Sequence, residues 1–168
     1  MVSYLGDLGQ PGLRKGVLSG EACEREVAAY LLDKDHFANV PPTILARAYH
    51  PSFTSPRNTS DMEWKIGSLQ EYVYHDTIVG NISCSKFEVE QVHKLVLLDM
   101  RLLNTDRNEA NLLVRNGPLV DGKTTYELIP IDHGYCLPDR LEIGWCDWCW
   151  LDWPQLKVIY SIFCSSSI

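Results

Sequence analysis

Asp106 and Asn111 lie five residues apart in the segment LNTDRNEANLLV (residues 103–114), and a second acid, Asp132, follows in IPIDHG (residues 129–134). An acid, an amide and a second acid in this order suit phosphoryl transfer. One carboxylate takes the proton of an acceptor hydroxyl, and the amide and the second carboxylate hold a divalent cation against the phosphates of a nucleotide. Any one of the three, alone, reads as a turn or cap residue; their spacing and the strand pattern between them favour the joint role.

These residues need elements to bring them together. Val89, Val92, Leu95, Val96, Met100 and Leu103 recur at three- and four-residue steps, which predicts a long, largely buried helix from about Ser83 or Ser85 to Leu103, delivering residues 104–111 into a cleft. His93 falls inside this pattern as a packed or hydrogen-bonded helix residue. Residues 112–115 and 126–131 read as strands, and the Asn116-Gly117 and Asp121-Gly122 dipeptides between them read as turns. That pairing brings Asn111 close to Asp132.

Earlier in the chain, Ala22, Val27, Ala28, Leu31 and Leu32 predict a helix from about Gly20 to Asp33, with Glu21 and Glu24 at the positive end of its dipole. Glu26 lies within it. Pro41-Pro42 ends that unit. Residues 43–49 and 64–73 read as strands separated by a proline- and serine-rich loop over residues 50–63, and Glu71-Tyr72-Val73-Tyr74 continues from the second strand. The glycine-rich stretch at residues 8–16 fits neither phosphate-loop spacing and reads as a linker.

The chain has 168 residues, 45% of them hydrophobic, and a formal net charge of −7. This is enough for one domain or one large lobe. The acidic balance argues against nucleic acid and against general attraction to anionic lipid. No apolar run approaches the roughly 20 residues needed to cross a bilayer, and the first twenty residues lack a secretory pattern. Six scattered cysteines fit a reducing compartment. Cys146 and Cys149 form one pair without the second pair a zinc site needs, so no metal is assigned to them.

Residues 101–114 and 128–138 resemble the catalytic and metal-binding loops of the phosphatidylinositol 3-/4-kinases, in particular the type II phosphatidylinositol 4-kinases and their plant gamma group. Residues 26–33, 37–43, 67–70 and 150–155 resemble further segments of that family in the same order, so the likeness spans about residues 9–161. It implies an α+β, protein-kinase-like lipid kinase fold, mainly the helical C-lobe with a partial N-lobe. Residues 1–20 would be an N-terminal loop segment, 21–161 the partial catalytic domain and 162–168 a tail.

The same resemblance implies ATP and Mg2+ as cofactors and phosphate transfer to the 4-hydroxyl of phosphatidylinositol. Asp106 and Arg107 become the catalytic-loop pair, and Asn111 and Asp132 the metal ligands that position ATP. Glu26 becomes the helix glutamate that steadies an ATP-binding lysine, and Gln70, Glu71, Tyr72 and Val73 the adenine-side connector. The expected setting is cytoplasmic, peripheral at cytosolic membrane faces, with Trp145, Trp148, Trp150 and Trp153 as candidate lipid contacts, although at least half of these suit a core better.

Two departures from the family pattern stand out. Asn108 occupies a position usually held by His and is followed by Glu109, so an imidazole is lost and a negative charge gained, which predicts reduced activity. The lysine-bearing strands would precede Gly9, so the chain reads as truncated in its N-terminal lobe. A catalytically inactive nucleotide- or partner-binding fragment and a protein serine/threonine kinase are the alternatives.

Overall fold

The computed structural model describes residues 9–50 and 64–158. The expected 50–63 loop therefore lies almost wholly outside the described residues. The architecture is α+β, and among the described residues seven strands and two α-helices are joined by short 3-10 turns.

Helix α1 (Ala22–Leu32) falls within the predicted span, but its buried residue is Ala29, while Ala22 and Leu31 of the predicted apolar set are exposed. Strands β1 (Thr43–Ala48) and β2 (Lys65–Gln70) pair antiparallel, Thr43 opposite Gln70. A short β3 (Thr77–Ile78) joins a different sheet. Helix α2 (Val89–Leu102) begins later than the sequence predicts: Cys84–Lys86 form a 3-10 turn, and extended Phe87 interrupts the helix. The interruption has a packing reason, because Phe87 is buried with its ring 5.3 Å from that of Trp153.

Beyond α2, β4 (Asp106–Arg107) pairs in parallel with β7 (Asp147–Trp148). β5 (Leu112–Val120) and β6 (Lys123–Pro130) form the expected hairpin, with β3 on the outer edge of β5. Only one of the two glycine dipeptides turns the chain. Asp121 and Gly122 have φ of +50° and +74°, as a two-residue hairpin turn demands. Asn116-Gly117 instead stays in β5 at a register irregularity, and a Cβ at Gly117 would fall 2.3 Å from Thr125 Oγ1.

Helix α2 serves two cores. Val92, Leu95 and Val96 pack with Phe87, Leu112, Val114, Leu128, Trp150 and Trp153. Leu98 and Leu102 pack with Ala29, Val40 and Cys136, joining α1 to the segment after β6. Trp150 and Trp153 are therefore interior. This corrects their reading as lipid contacts, since large apolar rings gain most from full burial. Trp148 is half-buried and stacks on Trp150 at 5.2 Å, leaving Trp145 as the exposed member of the four.

Candidate functional site

The end of α2 sets up the catalytic-loop segment. Leu103 takes a left-handed conformation, with φ +48°, and turns the chain out of the helix. Asn104 then donates to Asp99 Oδ1 at 3.1 Å, and its own side-chain oxygen accepts from the Asp106 amide at 3.0 Å. Thr105 bonds the Tyr135 carbonyl through both amide and hydroxyl, tying this loop to the one that follows β6.

Arg107 is fully buried. Its Nε lies 3.0 and 3.2 Å from the two carboxylate oxygens of Asp99, and Nη2 lies 3.1 Å from Oδ1. Nη1 donates to the carbonyls of Asn111 at 2.6 Å and Ile131 at 2.8 Å. One guanidinium thus clamps α2, the residues before β5 and the residues after β6, with its charge spent inside the fold. Asp99 also accepts from Trp150 Nε1 at 2.9 Å. The sequence reading missed Asp99, though a signal exists: it stands four residues after Leu95, on the buried face of α2.

The hairpin register puts Leu112 opposite Pro130, and the Ile131 amide donates to the Asn111 carbonyl at 3.1 Å. Asn111 and Asp132 therefore leave neighbouring strand ends together. The Asn111 amide nitrogen donates to the Asp106 carbonyl at 3.0 Å, which makes the side-chain oxygen its acceptor end. Asp132 has φ +54°, an uncommon conformation for a residue with a Cβ.

Glu26 comes from α1, which lies directly on the Asp132-His133-Gly134 segment: a Cβ at Gly134 would sit 3.1 Å from the Ala22 Cβ and 3.6 Å from Glu26 Oε1. Burial, then the charge of Glu26 and of Asp106, push the Asp132 carboxyl above the ordinary range. Burial opposes charge on Glu26, but the adjacent His133 outweighs it and holds the Glu26 carboxyl below the ordinary range. His133 is itself fully buried, which pushes its imidazole down, and its Nδ1 lies 3.6 Å from Glu26 Oε2. Oε2 of Glu26 and both His133 nitrogens are buried without a hydrogen-bond partner. The Glu26 and Asp132 carboxyls, from separate elements, thus lie near one another, with Asp106 within range of the second. Such a donor set fits a cation.

Among the described residues no three His, Cys, Asp or Glu side chains are grouped so as to hold a metal by themselves.

The expected connector residues separate in space. Gln70 is tied into the sheet, its amide donating to Thr43 Oγ1 at 2.9 Å, and Tyr72 is 79% exposed. Glu71 and Val73 line a cavity of about 240 Å³ with Pro41, Pro42 and Ile129.

Residues 9–19, read from the sequence as a linker, form a narrow hairpin with a Pro11–Leu18 bridge. Its turn delivers Arg14 to Asp106, with Nη2 2.6 Å from Oδ1. Nothing in the local sequence of this stretch marks Arg14 for that contact, which arises only in three dimensions. Asn108 donates to the same Asp106 oxygen at 3.3 Å.

A mixed α+β domain that brings an acid, a buried amide and a second acid together at the ends of one helix and one hairpin has an arrangement compatible with a phosphotransferase centre. The family model for phosphatidylinositol 3- and 4-kinase matches residues 7–144. The chain is 46% identical over 164 residues to phosphatidylinositol 4-kinase gamma 5 of Arabidopsis thaliana, covering 92% of this chain and 25% of that protein. Gamma 6 of the same plant is 46% identical over 167 residues, covering 92% and 26%, and gamma 8 is 41% identical over 160 residues, covering 92% and 30%. The chain belongs to the phosphatidylinositol 3- and 4-kinase family. It spans about a quarter of the length of gamma 5 and gamma 6.

Proposed function

We propose that this chain carries the catalytic and metal-binding half of a phosphatidylinositol 4-kinase site, transferring the terminal phosphate of ATP to the 4-hydroxyl of the inositol ring at a cytosolic membrane face. The observation that carries the reading is the juxtaposition of Asp106, Asn111 and the residues leading into Asp132: the Asn111 side chain donates to the Asp106 carbonyl at 3.0 Å, and the Ile131 amide donates to the Asn111 carbonyl at 3.1 Å.

In this reading Asp106 orients the acceptor hydroxyl and receives its proton as the new oxygen–phosphorus bond forms and the bond to the ADP oxygen breaks. Asn111 and Asp132 would hold Mg2+, which when bound neutralises phosphate charge. Arg107 acts through position: its bonds to the Asn111 and Ile131 carbonyls keep both metal-binding residues in register. Glu26, placed by α1 against the segment that carries Asp132, would be the carboxylate partner of a lysine ammonium. The cavity beside Glu71 and Val73 suits the nucleotide base, because Ile129, which also lines it, lies three residues before Asp132. The fold would then correspond to the large-lobe side of a kinase with part of the small lobe. Membrane contact, if it uses tryptophan, falls to Trp145, and no described helix is long and apolar enough to cross a bilayer.

The test offers the purified chain labelled ATP and magnesium with phosphatidylinositol vesicles and, separately, with a generic protein. Labelled phosphatidylinositol 4-phosphate is expected, and Asp106→Ala should abolish it. Turnover that survives Asp106→Ala would reject the role of Asp106, and label on the protein alone would make this a protein kinase.

A further inference from the structure

Arg14 is held at the cleft by groups other than Asp106. Its Nη1 donates to the Trp145 carbonyl at 2.6 Å, and its guanidinium carbon lies 5.9 Å from the centre of the Tyr135 ring. The hairpin that carries it is fastened along the segment after Asp132. Lys15 pairs with Glu142 at 2.9 Å and lies over the Trp145 ring, and the Gly16 carbonyl accepts from the Asp139 amide at 2.9 Å. Gly16 has φ +83°, and a Cβ there would meet the Arg140 carbonyl at 2.6 Å, so the two segments lie in close contact. Nη2 is thereby presented to Asp106, whose own carbonyl accepts from the Asn111 side chain and whose loop is tied to the Tyr135 carbonyl just beyond Asp132.

A polyphosphate entering that cleft meets like charge. A guanidinium fixed at its edge offsets the repulsion, and its planar fork fits two phosphate oxygens as well as it fits a carboxylate. We propose that Arg14 is a phosphate-binding residue of this site, resting on Asp106 until a phosphate oxyanion takes over its Nη2 and frees the carboxylate for the acceptor hydroxyl. This rests on the kinase reading of Asp106. An inhibitory plug would have to leave the cleft, whereas Arg14 keeps its Trp145 and Tyr135 anchors whichever anion it holds. Such a preset donor acts without reorganisation at the moment of transfer.

Two phosphates could be the partner: the terminal phosphate of the nucleotide, which must lie beside Asp106, or the phosphate of the lipid headgroup. The whole chain and its Arg14→Gln and Arg14→Lys variants are titrated calorimetrically with Mg·ATP, Mg·ADP and myo-inositol 1-phosphate, and their melting temperatures are compared. Arg14→Gln should weaken one of Mg·ATP or myo-inositol 1-phosphate about tenfold, the loss expected for a charge-assisted hydrogen bond. It should leave Mg·ADP within about twofold, and Arg14→Lys should recover part of the loss. Loss confined to Mg·ATP assigns the terminal phosphate; loss confined to myo-inositol 1-phosphate assigns the headgroup. Equal loss for all three ligands, no loss, or tighter Mg·ATP binding overturns the proposal. Asp132→Asn is the separate control: if it leaves Mg·ATP affinity unchanged, the metal-site reading fails independently of Arg14.

Discussion

Burial decides which side chains can react. Cys136 is fully buried and Cys149 half-buried, and in both cases burial pushes the thiol up to about 12. At pH 8 only about one such thiol in ten thousand is ionised, and the thiolate is the nucleophile. Native protein treated with iodoacetamide at that pH should therefore leave Cys136 and Cys149 unmodified, and mass mapping of the alkylated peptides checks this. Rapid labelling of either would mean that the packing around the 133–137 or 146–150 segment opens in solution. Cys149 bonds its amide to the Arg107 carbonyl, so the result also reports on the catalytic-loop strand.

At the scale of elements, the Asp99–Arg107 pair holds helix to loop to hairpin. Removing one member of a buried, hydrogen-bonded ion pair leaves the other charged and unpaired, at a cost of about 3–5 kcal/mol. Asp99→Ala is thus expected to lower the urea midpoint severely although Asp99 touches no substrate, and a loss under about 1 kcal/mol would contradict the clamp. A milder tie fixes α1. Glu21 Oε2 accepts from Arg25 at 2.5 Å and from the Leu18 amide at 3.1 Å, and Arg25 in turn donates to the Cys136 and Leu137 carbonyls. The Arg25 hydrogen bond, then that of Leu18, hold the Glu21 carboxyl below the ordinary range. A carboxylate depressed in the folded state adds stability above its unfolded value, about pH 4.3, and loses it as pH falls through the folded value. Urea midpoints of wild type and Glu21→Gln should accordingly differ at neutral pH and converge in acid; a constant gap would deny the linkage.

These elements also show what was legible beforehand. Period and turn chemistry placed α1, α2 and the β5–β6 hairpin, because each rests on local pattern. The start of α2 was misplaced because Phe87 answers to Trp153, 66 residues away, rather than to its neighbours. The same holds for Asn116-Gly117, whose conformation follows the partner strand. Asp106, Asn111 and Asp132 were readable from spacing. Arg14 was not, since a linker arginine acquires meaning only from the groups that the fold sets against it, and Asp99 offered only its place on the buried face of α2.

Across the whole molecule, order should be uneven. Helix α2 and the β5–β6 hairpin share the larger core, and Val92, Leu112 and Val114 are completely buried within it. The β1–β2 pair has no third strand among the described residues, and it leaves Ile44, Ile66 and Leu69 each more than half exposed. Ile44 and Leu69 face one side of the pair and Ile66 the other, so neither side is fully covered. A two-stranded sheet is marginal in water unless something packs on it, and α1 is the element that does so here. Its hydrogen bonds should open in local fluctuations that leave α2 intact. Hydrogen–deuterium exchange of the full chain is therefore expected to label residues 43–48 and 65–70 well before 89–102 and 112–116. Should β1–β2 exchange instead at the global unfolding rate, the pair would belong to the same cooperative unit as α2 and the β5–β6 hairpin, and the packing of α1 on it would be worth as much as a third strand.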